Sequence, residues 1–243
     1  MNRTQIDQYG LSAREGGDPT LVSGRYAIQR EAERLMVLDV AAKLDVRPKD
    51  RLIEIGCGSG NLLIPLSFMV KETVGLDHPN VCRYVRSRIS DRNIETVGCN
   101  FFDYQADIGT WFDKVLIYSV MNTLSDQDEA VAFVDKAVEL VAPGGRLLLG
   151  DIANIDRKAR FMASASGKAF DAKWRKELAS SKEDRGRFQH LGGEAVFQPS
   201  DRFIVSLMSR YRERGFDTYL LPQPPDLPFG NTREDLLITR SPD

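Results

Sequence analysis

The amino-acid sequence predicts an α/β fold with a mostly parallel sheet and helices on both faces. Short apolar runs alternate with amphipathic segments between residues 51 and 151, a pattern typical of β-α-β units with right-handed crossovers. A glycine loop, GCGSG at 56–60, directly follows the first apolar run, at the edge where such sheets bind ligands. The 243 residues and 42% hydrophobic content suffice for one domain with a sizeable core.

The elements follow in order along the chain. Residues 1–24 contain several glycines and a proline and are expected to form a loose arm. Apolar residues then recur at helical spacing over 26–44. A second helix is predicted over 127–141, ended by the Pro-Gly-Gly at 143–145. The predicted strands of this alternating region are 52–55, 73–76, 96–98, 114–118 and 146–150.

The alternation ends after Asp151. The segment 153–200 contains no convincing strand and is expected to lie over the ligand edge of the sheet as a substrate lid. The tail is predicted as a helix over 201–214 followed by strands 216–221 and 235–240 of the same sheet. We therefore expect one domain, comprising an N-terminal arm (1–24), a core (25–152), a lid (153–200) and the C-terminal part of the sheet (201–243).

Composition excludes several classes of function. The formal net charge of -2 provides no electrostatic drive toward nucleic acid or anionic membranes. No apolar run approaches the roughly 20 residues that span a bilayer, and the polar N-terminus lacks the apolar region of a signal peptide, so a cytoplasmic protein is expected. The three cysteines form no CxxC pair, which argues against a disulfide framework or a zinc site. A homodimer is left open.

The spacing of the glycine loop discriminates between loop chemistries. A P-loop requires G-x-x-x-x-G-K-[ST], but the sixth residue counted from Gly56 is Asn61 and no lysine follows. A dinucleotide-binding turn requires G-x-G-x-x-G, and here the third glycine, Gly60, comes one residue early. What remains is a loop whose backbone approaches a ligand other than a pyrophosphate.

The segment EIGCGSGNL (54–62) resembles motif I of class I S-adenosylmethionine-dependent methyltransferases, written E/D-x-G-x-G-x-G. The similarity continues in family order through VGLD (74–77), CNFFDY (99–104), FDKVLIYSVMN (112–122) and LVAPGGRLLLGD (140–151). It implies a Rossmann-like, seven-stranded sheet with an antiparallel C-terminal edge strand. It also implies S-adenosylmethionine as cofactor and S-adenosylhomocysteine as product.

The resemblance implies a role for each motif residue. Glycines 56, 58 and 60 let the backbone approach the methionine and ribose parts of the cofactor, and the helix beginning near Asn61 offers its first amides to a carboxylate. Glu54 accepts from the cofactor's ammonium group, and Asp77 accepts from the ribose hydroxyls. Phe101 and Phe102 can lie against the adenine, and Asp103 can accept from the exocyclic amine.

Four further positions are less specific. Phe101 and Phe102 are adjacent, so one of them is expected to face the core. Cys57 is expected at the cofactor as a small buried side chain and not as a nucleophile, and His78 is expected to flank the adenine. Tyr118 either contacts the cofactor or simply ends its strand.

The methyl acceptor is predicted to be a small molecule, methylated on oxygen or nitrogen, such as a sugar or secondary metabolite. The post-strand segment YSVMN (118–122) lacks the prolines of enzymes that methylate exocyclic amines of bases, and no basic run with interleaved aromatics suggests nucleic-acid binding. The segment 153–200 carries ten Lys/Arg residues and six acids. That surplus indicates either an anionic acceptor or a solvated helical face.

Two residues are candidates for a general base toward a hydroxyl acceptor. They are His190 and Asp151, the latter at the end of the fifth predicted strand. In the cation-dependent branch of the family, an acid like Asp151 at the end of strand five is a metal ligand. The acidic pair that supports it in that branch is not evident here, so no metal is expected. Two alternatives to a methyltransferase remain. One is a non-catalytic methyltransferase-like subunit that binds the cofactor or a partner protein. The other is a nicotinamide-dependent oxidoreductase, which Asn61 disfavours.

Overall fold

The computed structural model describes residues 3–89, 93–107, 109–184 and 197–242. In these ranges the chain forms one seven-stranded sheet in the order β3-β2-β1-β4-β5-β7-β6. All neighbouring strands are parallel except β7, which is antiparallel to both β5 and β6. The predicted fold is therefore confirmed, with the antiparallel strand second from the edge. The strands are β1 Arg51–Ile55, β2 Glu72–Asp77, β3 Ile94–Gly98, β4 Phe112–Tyr118, β5 Val141–Ile152, β6 Phe216–Pro222 and β7 Glu234–Arg240.

The central strands are buried on both faces, which explains their continuous apolar sequences. Alternate residues point to opposite sides of the sheet: Ile53 and Ile55 of β1 join one core cluster, and Leu52 joins the other. The first cluster is covered by helices α6 and α9, and the second by α3 and α4. The helices are α1 Arg3–Glu15, α2 Pro19–Val22, α3 Arg30–Leu44, α4 Leu63–Ser67, α5 Pro79–Arg88, α6 Gln127–Val138, α7 Ile155–Ala163, α8 Ala165–Ser180 and α9 Asp201–Glu213.

Local capping explains where several helices begin. Asp126 accepts from the amide of Glu129 at the start of α6, and Ser200 accepts from that of Phe203 at the start of α9. Such caps satisfy amides that have no intrahelical partner. The helices of the described ranges are too short or too polar to cross a bilayer.

The N-terminal arm differs from its prediction. Instead of a loose segment, it contains α1 and α2. Tertiary packing is the cause, because Ala13 and Val22 form a small core cluster with Val81 of α5, and the hydroxyl of Tyr84 donates to the carbonyl of Gly17 at 2.8 Å. Packing of this kind outweighs the low helix propensity of glycine.

The Pro-Gly-Gly at 143–145 also differs from its prediction. It ends no helix, since α6 stops at Val138 and the turn lies inside β5. Gly144 has a φ of 74°, and the pairing with β4 shifts register between Phe112 and Lys114. The triplet is therefore an irregularity that the long strand tolerates because β5 pairs with β4 before it, at Val141, and after it, from Arg146 onward.

The strand order positions the functional site. From β1 the chain proceeds outward through β2 and β3, and then returns to place β4 and β5 on the other side of β1. The carboxyl ends of β1 and β4 therefore flank the point where the strand order reverses, and open α/β sheets bind ligands in the crevice at this point.

Candidate functional site

The glycine loop leaves β1 in a conformation that suits glycine. Gly56, Gly58 and Gly60 have φ values of 80°, 51° and 82°, which side chains rarely adopt. A Cβ on Gly56 would lie 2.5 Å from Cγ2 of Val120. The amides of Gly56 and Cys57 both donate to the carbonyl of Leu76, at 2.7 and 3.2 Å, so the loop is held against the end of β2.

Glu54, at the end of β1, is a buried carboxylate with one unused oxygen. It is 3% exposed, and its Oε2 has no hydrogen-bond partner among the described residues. Burial raises the pKa of Glu54 well above its ordinary value, the nearby Asp77 charge adds to the rise, and the amide of Leu63 opposes it. A buried carboxylate in this state is stabilised when a ligand supplies a positive charge.

Asp77, at the end of β2, accepts two backbone hydrogen bonds. The amide of Gly58 donates to its Oδ2 at 2.8 Å, and the amide of His78 donates to its Oδ1 at 2.6 Å. Burial raises the pKa of Asp77, while these two amides lower it. Its carboxylate is thereby oriented over the glycine loop, where it lines the cavity described next.

Two adjoining cavities lie on the glycine loop, and we call them together the donor cavity. The larger part, of about 170 Å³, lies between Asp77, Tyr118 and the arm residue Tyr9. The smaller part, of about 60 Å³, reaches down to Glu54 and Cys57. Gly56, Gly58, Ser119, Ser23 and Arg25 line both parts.

Arg25 crosses the donor cavity from the arm side. Its Nη2 donates to Oγ of Ser119 at 2.9 Å, and its guanidinium lies 3.5 Å from Glu33 and 3.7 Å from Asp151. The small pocket is thus lined by the cation of Arg25 and by two carboxylates, Glu54 and Glu33, and Glu33 is the one paired with Arg25. Arg25 and Glu54 can therefore each bind one charged group of the zwitterionic end of an amino acid.

Asp151 ends up in the donor cavity, as a candidate base must. Ser119 Oγ donates a short hydrogen bond to its Oδ2, and its Oδ1 lies 3.6 Å from Nε of Arg233. Ser119 and Asp151, at the ends of β4 and β5, have φ values of 61° and 58°. Residues held in the left-handed region cost free energy, and they concentrate at binding and catalytic sites.

A buried polar network holds the ends of β4 and β5 in place. Asp235 of β7, fully buried, accepts from Lys43 at 2.6 Å, from the backbone amide of Asp151 at 2.8 Å and from Gln223 at 2.9 Å. Gln223 also donates to the hydroxyl of Tyr118 at 3.1 Å. Burial raises the pKa of Asp235, and Lys43 opposes the rise.

A second cavity, of about 480 Å³, adjoins the donor cavity, and we call it the aromatic cavity. It shares Asn122, Phe229 and Arg233 with the donor cavity. Much of its remaining wall is contributed by α7, α8 and the residues around Phe197, and Tyr26 and Asn154 also line it. The end of the α8 segment is tethered across the site, because Asp184 accepts from the amides of Ala27 and Ile28 at 2.6 and 3.2 Å.

The structure brings together some of the residues predicted for the cofactor and not others. The lining includes Glu54, Gly56, Cys57, Gly58, Asp77 and Tyr118. Gly60 lies outside it, and its amide closes the turn on the carbonyl of Cys57 at 2.9 Å.

The three residues predicted around the adenine lie outside both cavities. His78 caps α5 by accepting from the amide of Asn80, with its ring against Gly10 of α1. Phe102 packs edge-on to Phe133 at 5.8 Å, and Asp103 is exposed. Phe101 is the core member of the aromatic pair, at 1% exposure.

Two further expectations concern His190 and the helix after the glycine loop. His190 lies outside the described residues. The helix begins at Leu63, two residues after Asn61, has only five residues and contains Pro65. The amide of Ile64 donates to the carbonyl of Gly60 at 2.9 Å, so helical hydrogen bonding starts at the glycine loop. The described residues also contain no group of three His, Cys, Asp or Glu side chains that could hold a metal ion.

Sequence reasoning did not identify Ser23, Arg25, Phe229 or Arg233 as site residues. Ser23 stands in the stretch 1–24 that was expected to be a loose arm, Arg25 is the first residue after it, and the other two precede the last strand. Ser23 is positioned by a short hydrogen bond with Ser59 of the glycine loop. None of the four belongs to a local motif, and a weak signal existed only in the SGR triplet that precedes the first helical repeat at Tyr26.

Comparison with known proteins finds similarity to methyltransferases. Residues 53–149 match the family described as "Methyltransferase domain". The chain is 33% identical over 98 residues to a 23S rRNA (uracil(1939)-C(5))-methyltransferase of Neisseria lactamica, which covers 37% of this chain and 22% of that protein. It is 30% identical over 128 residues to a ubiquinone biosynthesis O-methyltransferase of Mesorhizobium japonicum, which covers 47% and 45%. The chain thus matches less than half the length of these curated relatives.

Solved structures extend the likeness to the whole fold. A magnesium protoporphyrin IX methyltransferase from Synechocystis PCC 6803 with bound S-adenosylhomocysteine aligns with a TM-score of 0.62 at 16% identity, over 99% of this chain and 96% of that one. A phosphoethanolamine N-methyltransferase of Haemonchus contortus aligns with a TM-score of 0.70 at 13% identity, over 100% of this chain and 49% of that one. At these identities the similarity concerns the fold.

Proposed function

Residues 53–149 of this chain are a methyltransferase domain in a fold of the class I type, and on that premise we propose that the protein transfers a methyl group from S-adenosylmethionine to an oxygen or nitrogen of a small molecule. The family predicted from the motifs is confirmed by the match. The observation that carries the proposal is the unused, buried oxygen of Glu54 beneath the glycine loop.

The donor cavity fits the cofactor by chemistry at both ends. Glu54 would accept from the ammonium group, and Arg25 would hold the carboxylate of the same amino-acid end. Asp77 would accept from the ribose hydroxyls, and Tyr9 and Val81 would provide apolar surface for the base. A Cβ at Gly56 would clash with Cγ2 of Val120 at 2.5 Å, so glycine lets the loop lie close to the segment that follows β4.

When bound, the cofactor supplies an activated methyl group on a sulfonium. The chain's own task is to align the acceptor behind that methyl group and, for a hydroxyl, to remove a proton. Asp151 is the described residue placed to accept that proton, since it lines the donor cavity at the end of β5. Ser119, which donates to it, and Arg25 orient the carboxylate.

A small-molecule acceptor is favoured over a nucleic acid by the shape of the site. The aromatic cavity adjoins the donor cavity and is covered by α7 and α8, so it suits a compact ligand. The relatives named above include an enzyme of ribosomal RNA, but that match covers 22% of the relative. The net charge of -2 gives no general attraction for RNA.

Calorimetry with S-adenosylhomocysteine tests the donor half of the proposal. We expect one site per chain with micromolar affinity, and no heat with NADH at the same concentration. Absence of S-adenosylhomocysteine binding at high micromolar ligand would refute the proposal. Transfer of a radioactive methyl group from S-adenosylmethionine to a panel of small hydroxyl and amine compounds then tests catalysis and distinguishes an enzyme from a silent subunit.

A further inference from the structure

We propose that the aromatic cavity binds the methyl acceptor, and that this acceptor is an anion with a flat, apolar ring face, its anionic group bound by Arg233 and Lys158. This inference rests on the proposed function and specifies its substrate class. It depends on two observations, which are the arrangement of rings on the cavity wall and the state of its charged side chains.

Aromatic rings form one continuous wall of the cavity. Trp174 lies at its centre, with its ring centroid 5.3 Å from that of Tyr26 and 5.1 Å from that of Phe229. Phe170 is stacked with Trp174 at 6.2 Å and an interplanar angle of 12°, and Phe197 lines the cavity as well. Rings held by one another in this way offer a preorganised face to a planar or flat-faced ligand.

The charges that line the cavity leave a positive surplus. Its acid, Asp171, is paired with Arg175 at 2.8 Å. Lys158 makes no ion pair within the described part of the chain. Arg233 lies over the ring of Phe229 at 5.3 Å. Its buried Nε is 3.6 Å from Oδ1 of Asp151 but makes no hydrogen bond among the described residues. A buried guanidinium nitrogen without a hydrogen bond is costly, and an anion that accepts from it would remove the cost.

The proposed anion site does not depend on the surplus of Lys and Arg over acidic residues in the segment 153–200. Several of that segment's cations are already paired with carboxylates: Arg157 with Glu234, Arg160 with Asp201, Lys173 with Glu177 and Arg175 with Asp171. Lys158 is its described cation on the cavity wall. The second cation, Arg233, comes from the end of the chain and lies between the two cavities.

The position of Arg233 also sets the orientation of the acceptor. Because Arg233 lines both cavities, an anionic group bound to it lies at their boundary. Arg233 would then lie between that group and Asp151, whose Oδ1 is 3.6 Å from Nε of Arg233. The neutral side-chain amide of Asn122 at the same boundary can bind a hydroxyl of the ring. The ring face then lies against Trp174 and Phe229.

Fluorescence of Trp174 in protein saturated with S-adenosylhomocysteine provides the test, with Trp111→Phe as the background because Trp111 is exposed. The probes are two anions of this class, 4-hydroxybenzoate and glucuronate, each with its neutral counterpart, 4-hydroxybenzamide and glucose. We expect at least one anion to change the fluorescence and to bind roughly 10-fold or more tightly than its neutral counterpart. The pair that responds identifies the ring as aromatic or as a sugar.

Charge-removing variants then locate the anion. Arg233→Met and Lys158→Met are each expected to weaken binding of the responding anion, by roughly 10- to 100-fold and roughly 3- to 10-fold respectively. Arg202→Met, which removes an exposed arginine of α9, should leave it unchanged. Loss of S-adenosylhomocysteine binding by the parent protein would refute the proposed function. Intact cofactor binding with no anion preference, or with anion binding unaffected in both variants, would overturn this inference alone.

Discussion

The substitution Glu54→Gln examines the most specific feature of the donor cavity. Glutamine keeps the shape and one acceptor oxygen, but it removes the charge that the cofactor's ammonium group would neutralise. The lost interaction is a charge-assisted hydrogen bond at a site that is 3% exposed. Hydrogen bonds to charged groups contribute about 1.5–3 kcal/mol, so the affinity for S-adenosylhomocysteine should fall by roughly 10- to 150-fold.

The stability of the free protein should change in the opposite direction. Because the pKa of Glu54 is raised in the folded state, the folded chain binds more protons than the unfolded chain between the ordinary and the raised value. The free energy of unfolding therefore falls as pH increases through that window. Glu54→Gln removes this term, so the variant should unfold at the same or a higher temperature than the parent at neutral pH.

Cofactor binding should be coupled to proton release from the same carboxyl group. An ammonium group beside Glu54 lowers its pKa, so affinity should rise with pH through the window and then level off. Calorimetry in two buffers of different ionisation enthalpy measures the protons released. Glu72→Gln, an exposed glutamate of β2, is the matched control and should behave like the parent. If Glu54→Gln binds S-adenosylhomocysteine as tightly as the parent, the carboxylate is not the partner of the ammonium group.

Three further substitutions test other parts of the site. Gly56→Ala should lower the free energy of unfolding by about 1–3 kcal/mol and impair S-adenosylhomocysteine binding. Gly109 has a similar φ, but a Cβ there would have no atom within 4 Å, so Gly109→Ala should lower the free energy of unfolding less and leave binding intact. Asp77→Asn should weaken S-adenosylhomocysteine binding by roughly 10-fold or more in calorimetry, because one carboxylate oxygen is lost. Lys43→Met should lower the free energy of unfolding in denaturant by about 3–5 kcal/mol. The loss should be smaller at acidic pH, because the raised pKa of Asp235 lets that carboxyl group become neutral. A loss independent of pH would contradict the ion pair between Lys43 and Asp235.

The parts of the site that could be predicted are those with short-range causes. Glu54 and Gly56 belong to one loop whose spacing is dictated by local backbone geometry, and Asp77 ends the next strand along the chain. Arg25 could not be found in this way, because its partner Ser119 is 94 residues away. Arg233 likewise reaches the site only because β7 inserts beside β5.

The same distinction separates the correct and incorrect parts of the fold prediction. The β-α-β alternation is a local pattern of buried and half-buried runs, and it predicted the bounds of β1 to β4 within two residues. It missed the first five residues of β5, which begins at Val141 and not at Arg146. The arm was misjudged because its helices depend on contacts with α5, such as that between Tyr84 and Gly17. The Pro-Gly-Gly within β5 reads as a terminator by local chemistry, but strand pairing on both sides of β5 overrides it.

Asp235 has a consequence for how the protein assembles. The carboxylate contacts Lys43, 192 residues away, and the backbone of Asp151, 84 residues away. Contacts this distant in sequence form late in folding, because loop-closure entropy opposes them until much of the sheet exists. A chain with β1 to β5 in place but β7 still undocked would contain the complete glycine loop and yet leave Lys43 and the end of β5 without their buried partner. Docking of the last strand therefore completes the support of the backbone at Asp151.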